Sequence, residues 1–148
     1  MEITPTHPYY QQRLLGVDYG EKVTGFALFC PGQDPFPQPF GRSLAQGEKL
    51  CQEIAQLIKN EDVGRVVLGL PLMLDGQEGQ QAQKVRHFGE NLAKTIAPCP
   101  LSYHDETLTT EEAIHRMKQS PRYNFSVCWP EIDAWSAAII LEDFVRMA

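Results

Sequence analysis

The stretch Arg65-Val66-Val67-Leu68-Gly69-Leu70 is a near-continuous apolar run stopped by Pro71. An apolar run of that length, without polar alternation, belongs to a strand covered on both faces, as in parallel sheets flanked by helices. The residues before it agree, because from Gly47 to Asn60 the positions Leu50, Ile54, Leu57 and Ile58 recur at helical spacing. A helix therefore feeds a buried strand. The alternation then repeats: Ala82, Val85, Phe88, Leu92 and Ile96 share one helical stripe, and Leu101-Ser102-Tyr103-His104-Asp105 reads as a short strand.

Upstream, Leu14-Leu15-Gly16-Val17-Asp18-Tyr19 reads as a buried strand, Gly20-Glu21-Lys22 as a tight turn, and Val23 to Cys30 as an antiparallel return. A short third strand is expected around Phe40 to Leu44, after a proline- and glycine-rich connection that cannot be helical. Downstream, Thr109 with Glu112 has the form of a capping box opening a helix to about Lys118. Pro130 starts a last helix bearing Ile132, Ala137, Ile140, Leu141 and Phe144. The expected class is α/β: a mixed sheet, with an antiparallel hairpin start and then parallel strands, and helices on both faces.

With 148 residues, 43% of them hydrophobic, the chain has the material for one domain, placed at 13–148 behind a polar, proline-punctuated tail at 1–12 that is expected to be flexible. No stretch approaches the ~20 apolar residues that cross a bilayer, and the first residues lack the basic start and apolar centre of a signal peptide, so no membrane partner and a cytoplasmic location are expected. Cys30, Cys51, Cys99 and Cys128 form no C-x-x-C pair, which excludes a zinc knuckle and leaves reduced thiols. A net charge of −6 argues against non-specific coating of nucleic acid, yet basic residues cluster locally at Lys84, Arg86 and Lys94 and at Arg116, Lys118 and Arg122.

Three acids stand out. Asp18 ends a strand otherwise made of Leu, Gly and Val, where a charge is costly unless it is paired or binds a cation. Asp105 and Glu106 follow another central strand at its C-terminal end, where open α/β sheets place ligands. Strand residues alternate in facing, so only one of this pair enters the site that Asp18 enters; Glu106 is favoured and Asp105 is the fallback. Asp133 sits in the first turn of the last helix, where an acid also serves the helix dipole. Together they could hold Mg²⁺, or Mn²⁺, since a pair of hard cations roughly 3.5–4 Å apart on carboxylates activates water and neutralises the leaving oxygen in phosphodiester hydrolysis. Trp129 and Trp135 are expected in the core, and His87 and His104 are expected to be surface or core residues.

At these residues the sequence resembles the YqgF family, also called RuvX, named as Holliday-junction resolvases and pre-16S ribosomal RNA nucleases. Four motifs carry the likeness: Gly16-Val17-Asp18-Tyr19-Gly20-Glu21-Lys22 with Gly25 and Ala27; Val67-Leu68-Gly69-Leu70-Pro71-Leu72 with Asp75-Gly76; His104-Asp105-Glu106 with Leu108-Thr109-Thr110 and Glu112-Ala113; and Asp133 to Glu142. The resemblance implies a ribonuclease-H-like fold and a metal-dependent nuclease. Its catalytic and metal-holding acids fall on Asp18, Glu106 and Asp133, and Lys22, Lys84 and Arg86 are the expected substrate contacts. Implied partners are a ribosomal RNA precursor or branched DNA, with the ribosome among those allowed, for a monomer or a homodimer. The chain departs from the family pattern at Val23, Met73 and Thr107, where Arg, Asn and Arg are usual; each change removes a polar group that could hold phosphate or steer an acid.

Two other functions compete with this reading. Actin-like ATPases and sugar kinases also open on an Asp-x-Gly hairpin, but they place nucleotide between two such domains, and no G-x-x-x-x-G-K-[ST] loop is present here. The second is a non-catalytic nucleic-acid or ribosome-associated module on the same fold. Thr107 and the acidic net charge favour it, and the retained Asp18, Glu106 and Asp133 oppose it.

Overall fold

In the computed structural model, which describes residues 2–148, strand β1 (Leu14–Asp18) lies at the middle of a five-stranded sheet. Its antiparallel partner β2 (Thr24–Phe29) leads out to the edge strand β3 (Gln38–Ser43), and on its other side β4 (Arg65–Leu70) and β5 (Leu101–Asp105) run parallel to it, giving the order β3-β2-β1-β4-β5. Helices α1 (Gly47–Glu61) and α2 (Gln80–Ile96) supply the crossovers and cover one face. Helix α4 (Ile132–Arg146) covers the other, with α3 (Thr109–Lys118) packed on α4. The expected mixed α/β sheet with helices on both faces is the one observed.

Alternation along β1 sorts the two cores. Leu15 and Val17 point into the α1/α2 layer with Leu50, Ile54, Leu68, Val85 and Leu92, while Leu14 joins Val67, Ile140 and Leu141 under α4. Gly16 and Asp18 share the α4 side with Leu14.

Two local readings are corrected. Thr109 does not cap α3: it is buried inside the first turn, and the cap position is Leu108, held in a left-handed conformation at φ +67° with no side-chain cap bond. Pro130 opens not α4 itself but a short 3₁₀ turn, Trp129–Glu131, which runs into it. The third strand is shifted by a residue or two from its expected place. Residues 2–13 carry no strand or helix, yet they are pinned to the body: a ring nitrogen of His7 bonds the Val145 carbonyl at 2.9 Å and Tyr9 stacks on Phe144. Among the described residues no helix is long and apolar enough to cross a membrane.

Candidate active site

The sheet delivers its acids by parity and glycine. Asp18 ends β1 and pairs with Gly25. A Cβ on Gly25 would lie 2.1 Å from the Asp133 carbonyl oxygen, so only glycine lets the first turn of α4 press onto β2. Gly69 does the same at β4, where a Cβ would lie 2.7 Å from Glu106 Oε2. Glu106 itself follows β5 with its backbone still anchored, donating N–H to the Leu70 carbonyl at 3.2 Å and accepting from Thr109 at 3.1 Å.

The alternation rule resolves the Asp105/Glu106 pair. Asp105 turns outward and accepts from the Thr107 backbone N–H at 2.8 Å, whereas the Glu106 carboxyl reaches the Asp18 carboxyl and hydrogen-bonds it. Both line a cleft of about 590 Å³, walled by Tyr19, Pro71 to Leu74, Gln81 and the start of α3. Among the described residues neither makes an ion pair with Arg, Lys or His.

Burial therefore dominates their chemistry. It pushes the Asp18 carboxyl up to about 6; the hydrogen bond from Glu106 works against the rise and the charge of Asp133 adds to it. Glu106 is pushed up to about 10, by burial first, then by the Asp18 charge and by giving its proton to that hydrogen bond, with Asp105 contributing. The two carboxyls titrate as a pair, and burial favours keeping a proton within it near neutral pH. Asp133 is also raised by burial, while Arg42 pulls it back. Its charge is felt at Asp18, but the three carboxyls are not drawn into one tight ligand set: among the described residues no group of three His, Cys, Asp or Glu side chains could grip a metal together.

The donor chemistry fits a divalent cation all the same. Two touching carboxyls share a proton in place of a positive charge, with a third acid alongside; a hard cation on oxygen ligands would replace that proton.

The expected basic contacts lie elsewhere. Lys22 is exposed in the turn after β1. Lys84 is ion-paired with Glu21, and Arg86 grips both oxygens of Glu78 at 2.6 and 2.8 Å while lying over the Tyr103 ring. Neither Lys84 nor Arg86 lines the acid cleft, so they can meet only a substrate that extends beyond it. Lys84 faces a larger cleft of about 1010 Å³ between α1 and α2, which touches the acid cleft only at Tyr19 and contains none of the three acids.

Sequence reasoning missed Arg42, the cation beside Asp133. Its signal was a single basic residue in a weak edge strand, and the register that aligns it with Gly25 cannot be read from composition. It also missed Gly69, although a glycine inside an apolar strand is a known mark of close approach. Trp129, expected in the core, is 63% exposed, because the 3₁₀ turn ahead of α4 lifts it out of the helix; Trp135 is half-buried against Tyr123.

Comparison with known proteins gives the family and the fold. Residues 12–147 match the family model described as "RuvX: Holliday junction resolvase". A Sulfurihydrogenibium protein named "Putative pre-16S rRNA nuclease" is 35% identical over 135 residues, 90% of this chain and 89% of that one. A Syntrophus aciditrophicus protein of the same name is 36% identical, covering 90% and 87%. Among solved structures, RuvC from Thermus thermophilus superposes with a TM-score of 0.61 at 11% identity, over 92% of this chain and 96% of that one, which is a likeness of fold.

Proposed function

The chain belongs to the RuvX family, and from that membership we propose that it is a metal-dependent nuclease whose Asp18, Glu106 and Asp133 act on a phosphodiester bond. The observation that carries the reading is the half-buried Asp18–Glu106 pair, which among the described residues makes no ion pair and opens into a cleft. Unpaired buried acids are destabilising and persist where a function demands them.

Asp18 and Glu106 would hold Mg²⁺ or Mn²⁺, with Asp133 as a further ligand or as the acceptor for a water proton. A bound cation supplies the positive charge that phosphoryl oxygens need and makes water a better nucleophile at neutral pH. The chain's own part is positional. Gly25 and Gly69 set the acids' spacing, Asp18 and Glu106 give up their shared proton, and the apolar wall of Pro71, Leu72 and Leu108 limits water in the cleft.

A ribosomal RNA precursor is the preferred substrate over branched DNA, because the relatives at 35–36% identity carry the RNA name whereas the resolvase structure shares only the fold. Such a substrate places the protein in the cytoplasm with ribosome precursors. The rival, an inactive binding module, draws on Thr107 and Val23, where the family has arginine.

Cleavage of a 16S precursor, a four-way junction and a single strand, with Mg²⁺, Mn²⁺ or EDTA, separates the two. The expected result is metal-dependent cutting of the precursor by the wild type and none by Asp18→Asn or Glu106→Gln. Inert wild type on all three substrates would leave the binding module standing.

A further inference from the structure

The row of residues that passes through Asp18 continues beyond the acids. Asp18 pairs with Gly25, and Gly25 pairs with Arg42 on β3, so three directly opposed residues point to the α4 side of the sheet. The neighbouring Ser43 confirms the facing, since it turns the other way and its hydroxyl donates to Glu53 of α1 at 2.8 Å. Two inter-strand spacings put Arg42 roughly 10 Å along the row from Asp18. Arg42 is exposed and, among the described residues, makes no ion pair, unlike Arg13, Arg86, Arg116 and Arg146.

Trp129 lies in the 3₁₀ turn that packs on the strand bearing Arg42. The Arg42 charge is felt at Cys128, the residue before it. Trp129 is 63% exposed, and in the same connection Phe125 is 61% exposed and held at φ +57°, a backbone conformation costly for a bulky residue. An unpaired guanidinium next to open aromatic faces, at the margin of an acid site, is complementary to a strand that offers phosphates and bases together.

Resting on the nuclease reading, we propose that Arg42 and Trp129 form a platform for unpaired nucleotides flanking the cut bond: Arg42 takes a phosphate and Trp129 stacks the adjoining base. A base reaches a tryptophan face only when it is out of a duplex, so the substrate class is a single-stranded or splayed segment rather than a continuous helix. The platform also supplies the cation that Val23 and Thr107 no longer provide. A protein rival for the same surface is a second copy of the chain covering Trp129.

The test measures binding apart from cutting. In Asp18→Asn protein with EDTA, anisotropy is read for a labelled single strand of about a dozen nucleotides and for the same sequence in a duplex. Adding Trp129→Ala should weaken single-strand binding by about 5- to 150-fold and Trp129→Phe should keep most of it, with the duplex little affected. Arg42→Gln should lower the salt slope by about 0.7, and Arg42→Lys should restore it. Unchanged single-strand affinity in Trp129→Ala overturns the platform, as does an equal loss on the duplex. So does a change from dimer to monomer on sedimentation without loss of binding, which assigns the surface to a second copy. Should the wild type cut while Trp129→Ala binds normally, only the platform falls; should Trp129-dependent binding persist in a protein that never cuts, only the nuclease reading falls.

Discussion

Toward α1 and α2 the sheet presents Leu15, Val17, Val66 and Leu68, large side chains in a layer without charge; toward α4 it presents Gly16, Gly25 and Gly69 among Leu14 and Val67, and it ends in Asp18 with Glu106 and Asp133 beside it. The first face is stabilised by apolar volume. The second gives up side-chain volume so that one helix can approach the strands closely and set an acid at its own first turn. Both faces carry a buried core, but only the second gives up volume around the acids, so substitutions on each should have different signatures.

The largest loss is expected on the apolar face. Leu68→Ala should cost about 2–5 kcal/mol in denaturant unfolding, through lost burial and the cavity left behind, while the melting-temperature rise on adding Mn²⁺ stays as in the wild type. A Leu68→Ala protein that no longer responds to Mn²⁺ would break the division between the faces.

Gly69→Ala should cost less, about 1–3 kcal/mol, because the added methyl meets Ile140 Cδ1 at 2.6 Å and Glu106 Oε2 at 2.7 Å and both must move. Here the response to Mn²⁺ should fall together with stability. Full retention of the metal response would mean that Glu106 adapts without consequence.

A third contrast is pH. Asp18 and Glu106 have folded-state values above their unfolded ones, so the folded protein binds the extra protons. Their burial therefore carries no penalty below about pH 4; in EDTA, stability should fall as pH rises through about 6 for Asp18 and onward toward 10 for Glu106. Thermal melts across that range should show the decline in the wild type, and a shallower one in Asp18→Asn, which should be the more stable protein near neutral pH. A drop in the melting temperature of Asp18→Asn at pH 7 in EDTA would instead mark Asp18 as a structural hydrogen-bonding partner.

The architecture was readable from the sequence because it rests on period. The apolar run at 65–70 and the stripe from Ala82 to Ile96 are α/β signals that tertiary packing reinforces. Parity along β5 also chose Glu106 over Asp105. What the sequence hid depends on register and local backbone. The alignment of Arg42 with Gly25 is set by pairing across an irregular edge strand, with a shift between Phe26 and Ala27. The left-handed Leu108 replaced the expected Thr109 cap, and Thr109 lies buried inside the first turn of α3. Lys84 and Arg86 stood out by charge alone; what the sequence hid is that each is ion-paired, with Glu21 and Glu78, and stands outside the lining of the acid cleft.

The smallest effect should come from Thr107→Arg. Thr107 sits on the cleft wall, its hydroxyl donating to Asp105 Oδ1 at 2.5 Å with the Leu72 carbonyl farther off at 3.3 Å, and an arginine there would add one charge-assisted phosphate contact. Binding of a single strand should tighten a few-fold, with the salt slope steepened by about 0.7. No change in slope would place residue 107 outside the path of the substrate.

In the proposed site Asp18 and Glu106 together hold the cation. Titration of Mn²⁺ followed by the electron paramagnetic resonance of the free ion tests it most directly, with wild type, Asp18→Asn and Glu106→Gln measured side by side at neutral pH. The account predicts saturable binding in the wild type that is lost in both variants, although both remain folded in EDTA. Equal Mn²⁺ uptake by all three proteins, or none by the wild type, would contradict it.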